Sequence, residues 1–184
     1  MFIPGLTYRA DFVAPEEETV LLAAVDGAPW LPDLRRRVQH YGYRYDYRVR
    51  TVDVSQHLGP LPSWAEGLAD KLVHDGHMPE RPDQMIVNEY LPGQGIGAHV
   101  DIETCFGPVV TSLSLGSGCL MELTQVDGPG RETLELKPRS LLVLAGEARY
   151  RWKHGIPARE ADVIDGQDVP RARRVSLTFR TVIL

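Results

Sequence analysis

Cysteine is nearly absent from this sequence: its 184 residues hold two, Cys105 and Cys119. Two thiols cannot build the disulfide framework that staples small secreted domains, and both lie among strand-forming residues, where a buried reduced thiol is the ordinary outcome. Long apolar runs are missing as well. None approaches the roughly 20 residues that a membrane-spanning helix needs, so no membrane association is expected. The opening MFIPGLTYRADF has no basic stretch followed by an apolar one, and a cytoplasmic protein is expected. Positive charge is not in excess either, since 20 Lys and Arg against 25 Asp and Glu give a formal net charge of −5. That excludes a protein that grips nucleic acid chiefly through overall charge, because phosphate neutralisation dominates sequence-independent binding. There is no internal repeat and no low-complexity tract.

What is present suits one domain. A chain of 184 residues can bury a core without structural metal or disulfides, and a monomer is expected. Its cations are unevenly placed. Eight of the 20 Lys and Arg lie between Arg149 and Arg180, and Arg35, Arg36, Arg37, Arg44, Arg48 and Arg50 form an earlier group. They read either as local basic surface for an anionic partner or as solvated faces offset by Glu160, Asp162, Asp165 and Asp168.

Residues 15–27 begin with Pro15 and three glutamates and continue through Val20, Leu21, Leu22 and Ala23, which predicts a helix with acidic residues at its positive end. After Pro62, the fourfold spacing of Trp64, Leu68 and Leu72 predicts a second helix ending near Gly76. Between them, YGYRYDYRVR (41–50) alternates aromatic with polar residues and predicts an extended segment with its tyrosines along one side. From Gln84 onward short strand-like runs take over: QMIVNEY, PVVTSLSL, CLMELT, ETLEL, SLLVLA and RRVSLTFRTVI. The expected fold class is therefore mainly β, a sandwich or barrel with two or so N-terminal helices, in a single domain 1–184. Residues 1–80 would form the helical part and a substrate lid, and 82–184 the β core. LPGQGIG and QVDGPG carry turn chemistry, and the polar stretch from Pro157 to Ala172 predicts a mobile loop before the last strand.

His99 and Asp101 are two apart, so on an extended segment both side chains leave the same face and can reach one ion. His154, in KHG, offers a third ligand. Two imidazoles and one carboxylate form the facial triad of non-haem iron(II) oxygenases, which leaves open positions on the metal. In RVSLTFR, alternation sets Arg174, Ser176, Thr178 and Arg180 on one face and Val175, Leu177 and Phe179 on the other. A polar strand face holding two arginines is costly to bury unless an anion meets it, and a dicarboxylate would do so through the bidentate fork of an arginine. The plainer reading of that strand is an exposed edge. His74 and His77 could share a helix face but lack a third ligand, so they are given no role. Tyr41 and Tyr43, with Tyr45 and Tyr47, read either as a platform for a flipped base or as an apolar strand face packed on the barrel.

Taken together, RPDQMIVNEYLPGQGIGAHVD, VVTSLSLGSG, SLLVLAGEARYRWKHGI and RRVSLTFR resemble the AlkB family of iron(II)- and 2-oxoglutarate-dependent dioxygenases. The likeness runs from about Pro82 to Val182 and is nearest to the branch that hydroxylates a wobble-uridine modification in tRNA. The resemblance implies a double-stranded β-helix, or jelly roll, with iron(II) on His99, Asp101 and His154. It implies 2-oxoglutarate on Arg174, with Asn88, Tyr90 and Ser176 as further contacts and Arg180 near the iron-proximal end, and O2 as the oxidant. Ser176 departs from an asparagine found in some members. Glu103 stands where the family's DNA-repair member has an aspartate that contacts the damaged base, and it is one methylene longer. Oxidative demethylation of N-alkylated bases in single-stranded DNA or RNA, weakly bound, is the expected activity. The alternatives are an oxygenase acting on a tRNA modification, a protein side chain or a small molecule, and a jelly-roll binding module without catalysis, against which the full triad with Arg174 speaks.

Overall fold

The computed structural model describes residues 2–32 and 34–184. Its strands and helices run in the order β1 (Leu6–Arg9), α1 (Pro15–Asp26), β2 (Val38–Tyr41), α2 (Ser63–His74), β3 (Gln84–Tyr90), β4 (Ile96–His99), β5 (Val109–Gly116), β6 (Cys119–Gln125), β7 (Arg131–Leu136) and β8 (Leu141–Ala145). They continue with α3 (Gly146–Tyr150), β9 (Trp152–Ile156), β10 (Ala161–Ile164), β11 (Gln167–Pro170) and β12 (Arg174–Arg180). A six-stranded sheet, β1-β8-β5-β12-β3-β2, faces a four-stranded sheet, β4-β9-β6-β7, and β10 with β11 forms a separate hairpin. Every pairing is antiparallel. This is the mainly β architecture expected from the strand pattern and the jelly roll that the family resemblance implies.

Alternation along β12 explains the layering. Val175, Leu177 and Phe179 are buried with Leu113 and Leu115 of β5 and Met85 and Val87 of β3, and Leu21, Val25, Leu68 and Leu72 of α1 and α2 complete that cluster. Each such side chain stabilises the fold by about 1.5–3 kcal/mol. The opposite face of the same strands is polar and looks into the space between the sheets. There Arg174 pairs across to Tyr90, Ser176 to Asn88 and Ser114, and Arg180 to Gln84. The larger apolar cluster thus lies on the helix side of the large sheet, and the candidate site lies on the other side beside a second cluster that includes Met121, Leu142, Leu144 and Ile156.

The four-stranded sheet needs a register correction to aim its ligands. Ile96 pairs with Ile156 and His99 with His154, so three steps on β4 match two on β9. A bulge at Gly97 and Ala98 absorbs the extra residue and returns His99 to the inward face. Gly155 stands opposite this bulge, where an added Cβ would meet the Ala98 Cα and N at 2.9 Å.

Three expectations need correction. The stretch Pro157 to Ala172 is not a loop: β10 and β11 pair around Asp165 and Gly166, both at positive φ, as a two-residue hairpin turn requires. The covered side chain of Arg171 donates to both Asp162 oxygens at 2.6 Å and to the Pro157 carbonyl at 2.7 Å, which fastens the hairpin to the body. LPGQGIG is a turn only in its first half, since Ile96 already lies in β4. The tyrosines of 41–47 do not share a side, because the strand ends at Tyr41 and Gly42 turns the chain at φ 76°. Cys105 and Cys119 are buried free thiols, and no helix among the described residues is long and apolar enough to cross a membrane.

Gly155→Ala is expected to force β4 away from β9 and to destabilise the protein by about 1–3 kcal/mol. Thermal melting together with metal titration checks this, and the variant should lose metal affinity as well as melting temperature.

Candidate metal centre

His99, Asp101 and His154 are the metal-competent cluster among the described residues, their ligand atoms all within 4.8 Å of one another. His99 leaves the end of β4 and His154 the middle of β9, and their ring centroids are 4.4 Å apart. The His99 Nδ1 lies 2.8 Å from the Gly97 carbonyl. An N–H there donates to that oxygen, fixes the ring and leaves Nε2 for a metal. Asp101 follows on the loop after β4 and is buried. Its Oδ1 forms an ion pair with Arg180 Nη2 at 2.6 Å. Its Oδ2 is 3.4 Å from His154 Nε2, and among the described residues no hydrogen bond satisfies it. A buried carboxylate oxygen without a donor, flanked by two imidazoles, is what a bound divalent cation would complete.

Burial pushes the Asp101 carboxyl up, but Arg180, the two histidines and Arg149 outweigh it and hold it below the usual carboxylate range. The carboxylate is ionised. Burial, opposed by Asp101, takes His154 down to about 4, so at neutral pH its imidazole is uncharged and able to ligate.

Arg149 was not singled out from the sequence. It sits on α3, 2% exposed, and its guanidinium donates to the carbonyls of Asp101 at 2.7 Å, Phe106 at 3.3 Å and Gly107 at 3.4 Å. It fixes the backbone of the loop that carries the metal carboxylate. Contacts that join positions more than forty residues apart leave no trace in strand or helix periodicity.

Arg174 lies at the other end of β12, 3% exposed. Its Nη2 donates to Ser114 Oγ at 2.8 Å and its guanidinium stacks 5.3 Å from the Tyr90 ring centroid. Its Nε and Nη1 have no partner among the described residues. Two orphaned N–H donors of a buried cation, in a pocket shared with Asn88, Tyr90, Ser176 and the metal histidines, suit a carboxylate. Asn88 accepts from Arg36 Nε at 3.0 Å, and the Ser176 hydroxyl is 2.8 Å from that of Ser112. Arg180 lines the same pocket but is engaged with Asp101, with Gln84 Oε1 at 3.2 Å and with the Phe106 ring. It therefore orients the metal ligand, while its Nε has no hydrogen-bond partner among the described residues.

The residues suggested for substrate are not brought together. Glu103 is exposed on the turn after Asp101. Tyr43 stacks on His57, with ring centroids 4.7 Å apart, and packs with Val52, Cys105 and Phe106 beside the metal loop. Tyr41 falls on the opposite face of the large sheet, where it donates to Gln39 and meets Trp64 of α2 edge-on at 5.7 Å. It is part of the core side, as the apolar-face reading held. Nor do the arginines form one basic surface: Glu89 pairs with Arg37 and Arg173, and Arg173 also holds Asp26.

The family model of the 2OG-Fe(II) oxygenase superfamily matches residues 27–180. The chain is 39% identical over 203 residues to an alkylated DNA repair protein ALKBH8 homolog of Arabidopsis thaliana, covering 98% of this chain and 59% of that protein. It is 36% identical over 206 residues to the tRNA (carboxymethyluridine(34)-5-O)-methyltransferase ALKBH8 of Macaca fascicularis, covering 97% of this chain and 30% of that protein. It thus spans less than two thirds of either relative. The structure of OsALKBH1 superposes with a TM-score of 0.75 at 17% identity, covering 98% of both chains, a likeness of fold.

Two outcomes follow. Arg174→Lys keeps the charge but loses the planar fork, so the Kd for 2-oxoglutarate should rise about tenfold or more while manganese affinity is unchanged, as calorimetry with each ligand will read. The second concerns pH. The folded pKa of His154, about 4, is below its ordinary 6.5, so the unfolded chain takes up the proton first. Metal-free stability should therefore fall as pH drops from about 6.5 towards 4, and His154→Gln should show a shallower loss of melting temperature over that range.

Proposed function

The chain belongs to the 2OG-Fe(II) oxygenase superfamily and is an iron(II)- and 2-oxoglutarate-dependent dioxygenase of the AlkB type, and on that premise we propose that it oxidises a C–H bond on a base of single-stranded nucleic acid. The carrying observation is one pocket that brings the two metal histidines together with the two unsatisfied donors of Arg174, while the unsatisfied Asp101 Oδ2 lies 3.4 Å from His154 Nε2. His99, Asp101 and His154 would hold iron(II), and Arg174, beside Ser114 and Tyr90, would take the distal carboxylate of 2-oxoglutarate. With O2, this group supplies the oxidising power that places one oxygen atom on the substrate carbon while 2-oxoglutarate becomes succinate and carbon dioxide.

The residues of the chain bind, orient and exclude water. Ionised Asp101 is held by Arg180 and neutral His154 needs no deprotonation. Val110, Met121, Leu142, Leu144 and Ile156 give the pocket an apolar wall that keeps water from the reacting atoms. Beside it lies an open groove of about 900 Å³. The groove shares Ile96 and Ile156 with the pocket, has Arg35 and Arg36 along one wall and reaches Gly97, beside which space is free. An extended anionic chain bearing one displaced base suits that shape and sign.

Two substrate readings fit. N-alkyl demethylation would release formaldehyde and serve alkylation repair. The likeness to ALKBH8 relatives, one of them named for a tRNA uridine, supports oxygenation of a tRNA modification. Incubation with iron(II), ascorbate, 2-oxoglutarate and either N-methylated single-stranded oligonucleotides or total tRNA separates them. Formaldehyde from the oligonucleotides supports the first; a nucleoside gaining one oxygen atom supports the second. Asp101→Ala should give neither product, and succinate formed with no change in any nucleic acid would overturn the proposal.

A further inference from the structure

Gln84 is a polar residue with no exposed surface. It opens β3 opposite Arg180. Its Oε1 accepts from Arg180 Nη1 at 3.2 Å and its Nε2 donates to the Tyr43 carbonyl at 3.2 Å. The partners settle the amide's orientation, since a guanidinium can only donate and a carbonyl can only accept. Arg180 in turn holds Asp101 and lies 4.6 Å from the Phe106 ring centroid, and Phe106 faces Tyr45 at 5.8 Å. Segment 43–52 is thus tied to the metal carboxylate by two routes, one hydrogen-bonded through Gln84 and one apolar through Phe106. Both pass through Arg180.

We propose that Gln84 is a positioning residue that links the docking of segment 43–52 to the setting of Asp101, so that metal binding orders the segment and the docked segment raises metal affinity. The inference rests on the metal-site reading above. Linkage makes the two effects equal: whatever factor the metal adds to docking, docking adds to metal binding. A residue with one hydrogen-bonding function cannot serve both neighbours. Methionine matches the size of Gln84 with neither function, and glutamate keeps an acceptor for Arg180 but offers no donor to Tyr43.

Hydrogen exchange of the full chain, with and without manganese(II), tests it. In the wild type, exchange across 43–52 should slow about fivefold on saturation with the metal. In Gln84→Met, melting within a few degrees of wild type, the response of exchange there to manganese(II) should shrink to what the Phe106 contact carries, and the manganese Kd should rise by the factor lost. Gln84→Glu gives the second reading should the methionine variant not fold, and its response should shrink in the same way. A wild type that binds no manganese overturns the metal-site reading and the coupling with it. Binding without slowed exchange, or a folded Gln84 variant that keeps the wild-type response, overturns the coupling alone.

Discussion

An ionised carboxylate buried between two sheets is the constraint around which this structure is arranged. Removing a charge such as that of Asp101 from water costs several kcal/mol unless it is paired and hydrogen-bonded. Arg180 takes one oxygen and Arg149 the residue's own backbone carbonyl. Both cations are themselves buried or nearly so, so each also needs its acceptors. The second Asp101 oxygen lies among His99, His154 and Arg180 with no donor of its own. The fold has stabilised the anion enough to keep it ionised while leaving one oxygen free to ligate.

Several local features are consequences of that arrangement. The bulge in β4 exists because His99 must face inward together with its partner on β9, and Gly155 is small because the bulge occupies the space a side chain would take. Short α3 delivers Arg149 beneath the metal loop immediately before β9 delivers His154. On β12 a single alternating strand serves three tasks. Its apolar face seals the helices onto the sheet, Arg180 anchors the metal carboxylate, and Arg174 keeps two donors for an anion.

The parts legible in the sequence are those written as periodicity or as a fixed local spacing. The helix after Pro62 and the two-faced RVSLTFR follow from period, the helix after Pro15 from its proline and glutamates, and QMIVNEY from its strand-forming residues. His99 and Asp101 could be paired because two residues on an extended chain share a face. The rest depended on contacts between distant positions. Nothing near Arg149 or Gln84 in the sequence marks them as partners of Asp101 and Tyr43. The hairpin turning at Asp165-Gly166 reads in the sequence as part of a loop because the strands flanking it are polar and their register is held by the remote pair of Asp162 and Arg171. The tyrosines misled because regular alternation from 41 to 47 implies a strand, whereas Gly42 breaks the chain and sends successive rings to different neighbours.

Charge placement bears on how the proposed substrate would be held. Many arginines that composition offers to a polyanion are already engaged: Arg37 and Arg173 with Glu89, Arg139 with Glu18 and Asp11, Arg159 with Glu122, Arg171 with Asp162. On the proposed reading, phosphate contacts fall to the few cations along the groove, Arg35 and Arg36 foremost. With few counterions released, binding of the strand is weak and only shallowly dependent on salt. Discrimination then has to come from the pocket. On the same reading its apolar wall would receive a base displaced from its neighbours, and a base that has left a duplex carries the lost stacking and pairing, a few kcal/mol, as a penalty. Single strands and exposed loops avoid that penalty, which is how an acidic protein can select them without gripping the backbone tightly.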